Sequence, residues 1–227
     1  MKTVLITGAN RGIGLEFVKQ YTEAGWSILA CCRNPENATE LKKIKRENIE
    51  IIRLDVNELE HISELGLRCS QYPIDLLINN AGMAGTADDF NMVSHETILD
   101  TLRTNTLAPI LIAQALIHSL ELGHRKTIVN VSSYYGSIEY YEDADYMAYQ
   151  ISKAALNAAT KNMAKSLRPK NIIAISIDPG WVKTDMGGES AILTTNKSVD
   201  GMRHVFDTLS LSDSGKFFRY DGSLLPW

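Results

Sequence analysis

Long hydrophobic runs are missing from this chain. No apolar stretch approaches the ~20 residues of a membrane-spanning helix, so no membrane span is expected. The run Val4-Leu5-Ile6 behind Met1-Lys2 is cut off by Thr7-Gly8, too early for a secretory leader. Cysteine is scarce, with three in 227 residues and two of them adjacent (Cys31, Cys32). That excludes a disulfide framework and points to a reducing, cytoplasmic location. No Lys/Arg-rich tract occurs and the net charge is −4, so nucleic acid is not an expected partner. The five histidines (His61, His95, His118, His124, His204) lack ligand spacing, and no metal site is expected. Linker-like Pro/Ser tracts, repeats and low-complexity segments are also absent. Residues 1–227 therefore read as one folded unit.

What the chain does contain is alternation. Short, almost continuously aliphatic runs at Thr3–Thr7, Ser27–Cys32, Ile49–Leu54, Leu76–Asn79, Thr127–Val131, Ile172–Ile177 and Lys216–Arg219 read as strands covered on both faces. Helical patterns separate them at Gly14–Ala24, Asn37–Arg46, Glu58–Ser70, His95–Leu122 with a break, and Tyr149–Leu167. Repeated strand–helix units of this kind predict an α/β fold, a doubly wound parallel sheet of Rossmann type with about seven strands. The stretch from Gly180 to about Asp200, rich in Gly, Ser and Thr, reads as a loop that covers substrate.

Two segments carry chemistry. Thr7-Gly8-Ala9-Asn10-Arg11-Gly12-Ile13-Gly14 follows the first strand and opens the first helix. Glycines there let backbone approach a pyrophosphate, which then faces the free N–H groups of a helix N-terminus. Tyr149-Gln150-Ile151-Ser152-Lys153 puts a phenol and an ammonium on one helical face. A neighbouring positive charge is expected to pull the phenol's pKa from about 10 towards neutrality. A redox cofactor beside a tuned acid points to hydride transfer at a C–O bond.

With three residues between its first two glycines, the motif resembles that of the short-chain dehydrogenase/reductase family. Asn79-Asn80-Ala81-Gly82, Asn105, Ser133, Tyr149-x-x-x-Lys153 and Pro179-Gly180 follow in the family's order, from the first strand to about residue 185. The stretch Asn130–Gly188 and the ending Phe217–Trp227 resemble in particular sniffer-type carbonyl reductases and C-factor-like proteins. The resemblance implies a cofactor set of Gly8, Asn10, Arg11, Gly12, Ile13 and Gly14 in the glycine turn, with Asp55 and Val56 after the third strand, Asp55 at the adenine. It adds Asn79, Asn80, Ala81 and Gly82 after the fourth strand, and Pro179, Gly180, Val182 and Thr184 after the sixth, near the nicotinamide carboxamide or the phosphates. Asp55 would serve equally well as the cap of the helix starting near Glu58.

The residue ending the second strand meets the adenosine ribose in such a sheet, and a carboxylate there would select NAD. Arg33 stands at that position, with Arg11 in the glycine turn. Two guanidinium groups can flank a 2′-phosphate in charge-assisted contact, so NADP(H) is the expected cofactor.

At the catalytic end the resemblance assigns Tyr149 as proton donor, Lys153 as its partner and ribose ligand, and Ser133 as the group that polarises the carbonyl. Tyr146 sits thirteen residues after Ser133, the family's usual separation, and Tyr149 sixteen. Tyr146 is followed four residues on by uncharged Gln150, whereas Tyr149 has Lys153, and sniffer-type proteins share the extension. Tyr146 is left to line the pocket or pack. Ser132 and Ser133 point to opposite faces by strand alternation, so one of them can serve.

Asn105 has its own argument. Pro109, four residues on, lacks an N–H and cannot satisfy the Asn105 carbonyl in a helical ladder. The orphan needs another partner, typically water, and in the family such a water links this Asn to the active-site Lys. Trp181, Met147 and Tyr140–Tyr141 are candidates for an apolar substrate wall. Lys183 and Lys197 are the nearby cations that could hold a charged substrate.

The expected activity is NADPH-dependent reduction of a small-molecule aldehyde, ketone or quinone. The rival is a cofactor-binding signalling or interaction scaffold with vestigial catalysis. A P-loop hydrolase is excluded because Gly14 leads into Leu15-Glu16, not Lys-Ser/Thr. Small residues on the helix Tyr149–Leu167 (Ala154, Ala155, Ala158, Ala159) permit close approach of another helix or of the chain's own sheet. Because this helix packs across a two-fold axis in many members of the resembled family, a homodimer is the expected association.

Overall fold

A computed structural model describes residues 1–44, 46–140 and 145–227. The first apolar run forms β1 (Thr3–Thr7), every residue of it buried. The others form β2 (Ser27–Cys32), β3 (Ile49–Arg53), β4 (Leu76–Asn79), β5 (Thr127–Val131), β6 (Ile173–Asp178) and β7 (Phe217–Arg219). All pair in parallel in the order β3-β2-β1-β4-β5-β6-β7. The order reverses between β1 and β4, and a ligand crevice opens at the carboxyl ends of strands flanking such a switch.

Helices cover both faces: α1 (Gly12–Glu23), α2 (Thr39–Lys42), α3 (Leu59–Cys69), α4 (His95–Leu102), α5 (Ala108–Ala115), α6 (Ile117–Leu122), α7 (Met147–Leu167) and α8 (Thr195–Thr208). Strand alternation feeds two cores. Val4, Ile6, Ile28 and Ala30 pack with Phe17, Tyr21, Met202 and Phe206 beneath α1 and α8. Leu5, Leu29 and Cys31 pack with Ile62, Leu65, Ile112 and Leu167 on the opposite face. Each large aliphatic or aromatic side chain so buried contributes roughly 1.5–3 kcal/mol, which holds the strand ends that carry the site. No described helix is long and apolar enough to cross a membrane.

Two elements differ from the sequence expectation. The second helix is short, a 3₁₀ turn at Pro35–Asn37 followed by four residues of α2. The loop expected to run to about Asp200 ends at Thr194, whose hydroxyl accepts from the Lys197 N–H and starts α8. Ser198, Val199, Met202, Val205 and Phe206 form the buried stripe of that helix. Its Thr-Asn-Lys-Ser opening hid it among loop-like residues.

α7 carries Ala154, Ala155 and Ala159 half-buried and Ala158 exposed.

Candidate active site

The glycine turn lies where β1 passes into α1. Gly8 takes φ +66°, left-handed backbone that favours glycine, and a Cβ on Gly14 would stand 2.1 Å from the Gly8 carbonyl oxygen. Asn80 braces the turn from β4's exit, donating through Nδ2 to the carbonyls of Thr7 at 2.9 Å and Gly8 at 3.3 Å. The Thr7 hydroxyl in turn accepts from the N–H groups of Asn80 and Ala81. Asn79 is turned inward, away from the crevice, and bonds Asn130 at 2.8 Å. No side chain caps α1 and no acidic residue occupies its first turn, so its N-terminal N–H groups stand open to an anion. That open, glycine-paved turn fits the pyrophosphate of a dinucleotide.

Val56 is buried behind the β3 exit. Asp55 accepts from the Asn57 N–H at 3.0 Å, while α3 starts at Leu59 with no side-chain cap. It is therefore not the cap of that helix. Arg33 lines a polar depression with Asn34, Arg53, Asp55, Glu58, Glu60 and His61. Arg33 makes no ion pair among the described residues, so its charge is available at the β2 end. Arg11 points elsewhere: its Nη1 is 2.6 Å from Oδ2 of Asp185, in the segment after β6. The arginine expected to join Arg33 at one phosphate is thus ion-paired, and Asp185 is the partner that sequence reasoning missed.

The β6 exit, buried Pro179 then Gly180, leads into a segment clasped on itself. Val182 is buried and bridges Leu193, and the Trp181 indole N–H donates to the Gly187 carbonyl at 2.7 Å. The Thr184 hydroxyl accepts from the Gly187 N–H at 3.1 Å, and its methyl abuts the space above Gly12. This segment therefore roofs the glycine turn. Trp181 is half exposed and Tyr140 lies on the surface; Tyr141 lies outside the described residues.

On the other side of the switch point, Ser133 follows β5 and Tyr149 sits in the first turn of α7. Their hydroxyls share a hydrogen bond. Ser132 turns its hydroxyl into the interior, as strand alternation requires. Lys153, one turn on from Tyr149 and 5% exposed, donates from Nζ to the Val131 carbonyl at 2.8 Å and lies 5.5 Å from the Tyr149 ring centre. Tyr135 meets Tyr149 edge-on at 6.3 Å. Tyr146 is the left-handed residue that starts α7, with φ 60°, and its carbonyl accepts from the Gln150 N–H. It does not carry the Ser133 contact.

Burial overrides the simple electrostatic expectation for the phenol. Desolvation pushes Tyr149 up to about 12, opposed by the Ser133 hydrogen bond and reinforced by the charge of Asp178. Desolvation pulls Lys153 down to about 8, with Asp178 acting against it. The phenol is accordingly kept protonated, the form a proton donor needs.

Asn105 lies in a π turn, Arg103–Leu107, between α4 and α5, with the Ala108 N–H reaching back five residues to the Arg103 carbonyl. Pro109 opens α5 just beyond, where its missing N–H is tolerated. The Asn105 side chain clasps Met83, accepting from its N–H at 2.9 Å and donating to its carbonyl at 2.8 Å, and also donates to Ser152 Oγ at 3.0 Å. A Cβ on Gly82 would lie 3.1 Å from Asn105 Oδ1 and 3.7 Å from Lys153 Nζ, so Gly82 leaves open space over the amine. Ser152 and Asp178 were not singled out in the sequence, although each directly precedes a residue that was.

The model of the short chain dehydrogenase family matches residues 2–192. The chain belongs to that family. It is an oxidoreductase. It is 39% identical to the C-signal protein of Myxococcus xanthus over 68% of this chain and 93% of that one. Carbonyl reductase Sniffer of D. melanogaster superposes with a TM-score of 0.96 at 36% identity, covering 100% of both chains. The NADPH-bound carbonyl reductase from chicken fatty liver superposes with a TM-score of 0.93 at 35% identity, covering 100% of this chain and 99% of that one.

Proposed function

We propose that this short-chain dehydrogenase reduces a carbonyl compound, an aldehyde, ketone or quinone, to the alcohol with NADPH. The observation that carries the reading is the hydrogen-bonded Ser133–Tyr149 pair beside buried Lys153, at the same sheet edge as the open N-terminus of α1. Carbonyl reductases are among the structural likenesses, one of them bound to NADPH.

When bound, the nicotinamide supplies the hydride. Ser133 and Tyr149 hold the substrate oxygen between two hydroxyls, and Tyr149 gives it a proton. Lys153, once its amine turns from Val131 to a ribose hydroxyl, orients that sugar and keeps positive charge near the phenolate as it forms. The Asn105 carbonyl, which the Pro109 nitrogen cannot bond, accepts from a water through which a proton passes from solvent to Lys153. Arg33 takes the 2′-phosphate, joined by Arg11 when Asp185 releases it. The Trp181–Leu193 segment closes over the substrate, and apolar contact with Trp181 sets a broad preference, since one methylene discriminates by only ~1–3 kcal/mol.

The test is NADPH consumption with a panel of apolar aldehydes, diketones, quinones and charged keto acids. Turnover of apolar members, lost in Tyr149→Phe, is expected. Strong selectivity for a charged keto acid would overturn the apolar pocket. Inactivity across the panel with intact NADPH binding would favour the interaction scaffold, a reading supported by likeness to a protein named C-signal.

A further inference from the structure

Asp178 ends β6, directly before Pro179–Gly180, and is 3% exposed. A carboxylate buried this deeply needs hydrogen bonds and opposite charge to remain ionised. Its Oδ1 accepts from the Tyr134 N–H at 3.0 Å, and the carboxylate also accepts from the Gly180 N–H. Tyr134 is the residue after Ser133, and Gly180 begins the segment that roofs the glycine turn. One side chain thus ties the turn bearing the substrate-polarising serine to the turn leaving β6.

The same carboxylate lies beside the catalytic helix. Val131 is paired with Ile177 across β5 and β6, and the Val131 carbonyl is the one that accepts from Lys153 Nζ. Asp178 is the next residue along β6 from that rung. Among the described residues, the charged and titratable groups around it are Lys153 and Tyr149 from α7, Arg219 from β7 and Asp221 beyond β7. Arg219 Nε stands 3.7 Å from Oδ2, an ion pair but too long for a hydrogen bond. Burial pushes the Asp178 carboxyl above its ordinary range, and the hydrogen bonds from Tyr134 and Gly180 and the charge of Arg219 work against that shift. The carboxylate they favour acts on Lys153.

We propose that Asp178 is a positioning residue of this site: its carboxylate locks the Ser133 turn to the Gly180 turn, and its negative charge holds Lys153 as an ammonium in a desolvated cleft. The inference rests on the assignment of Tyr149 and Lys153 to carbonyl reduction. Its electrostatic half agrees with the opposing effects on Lys153, which burial pulls down and Asp178 draws back up.

Asp178→Asn removes the charge and keeps size and one acceptor. The side-chain carbon next to the Lys153 amine, assigned with Lys153→Met, can be titrated by carbon NMR in the cofactor-free protein. Its midpoint is expected to fall by about one pH unit in Asp178→Asn, a tenfold loss of ammonium. An unchanged midpoint overturns the proposal. The alkaline limb of kcat for NADPH-dependent reduction should move to lower pH by the same amount, with the NADPH Kd below that limb unaltered. A uniform drop in kcat with an unmoved limb would mean a purely structural role and also overturns it. Should Asp178→Asn fail to fold, Asp178→Glu keeps the charge while displacing the two turns. The wild-type Lys153 midpoint with a reduced kcat is then expected, and a fallen midpoint with wild-type kcat overturns the idea. If the wild-type protein reduces no carbonyl at all, the proposed activity fails while the NMR titration still decides the charge effect of Asp178.

Discussion

The amine of Lys153 donates to the Val131 carbonyl at 2.8 Å, tying the face of α7 that carries Tyr149 to the end of β5 two residues before Ser133. That bond also buries the amine, and burial lowers its pKa to about 8. A lowered pKa means that the proton leaves at lower pH than from an ordinary lysine. Reduction that needs the ammonium should therefore have full kcat/KM below about pH 8 and lose it as the pH rises through that value. The pH–rate profile with NADPH checks this. Activity held flat into the ordinary lysine range would show that the Lys153 charge is dispensable.

Tyr149→Phe is expected to lower kcat by ~10²–10⁴-fold with NADPH binding, read by fluorescence, largely intact. The ring and its edge contact with Tyr135 remain, and the proton donor is gone. Tyr146→Phe should change kcat little, because that residue contributes its left-handed backbone to the start of α7. A reversed pattern would transfer the proton-donor role to Tyr146.

Arg33→Asp is expected to weaken NADPH binding by ~10–100-fold, the loss of one charge-assisted contact of ~1.5–3 kcal/mol, and to shift preference towards NADH. Calorimetric Kd values for both cofactors measure it. Arg33 lacks an ion-pair partner among the described residues and borders the same depression as Asp55. Equal binding of NADH and NADPH by the unmodified protein would remove Arg33 from the cofactor site.

Gly14→Ala places a methyl 2.1 Å from the Gly8 carbonyl oxygen, where backbone cannot yield cheaply. A loss of ~1–3 kcal/mol in stability is expected from such overpacking, together with weaker NADPH binding. Denaturant unfolding and a cofactor titration test the two parts separately. A variant with wild-type stability would show that the turn relaxes without cost.

Much of the architecture was legible because its signals are local. Aliphatic runs bounded by turn residues located the seven strands, and alternation within them sorted side chains to two covered faces. Lys153 in place of a neutral residue four positions on separated Tyr149 from Tyr146, and the Ser133 hydrogen bond joins Tyr149. Pro109 announced the irregular turn at Asn105, since a missing N–H is written in the sequence itself. α8 was lost because its polar first turn resembles a loop, and its start depends on the Thr194 cap.

The sequence by itself determined the parallel doubly wound sheet, the glycine turn and the identities of Ser133, Tyr149, Lys153 and Asn105. The sheet and the turn follow from periodicity and from residue type at short spacing, and the four site residues from the order of the family's motifs. Only the tertiary structure decided how those groups behave, because burial and long-range contacts are not local properties. It sent the Tyr149 phenol up and not down, committed Arg11 to Asp185, turned Asn79 into the interior, and brought Asp178 from β6 beside the Ser133 turn and Lys153. The physical reason is desolvation combined with chain crossing. Strands far apart in sequence end side by side, and charge near them acts in a medium that the neighbouring residues, not the sequence spacing, have emptied of water.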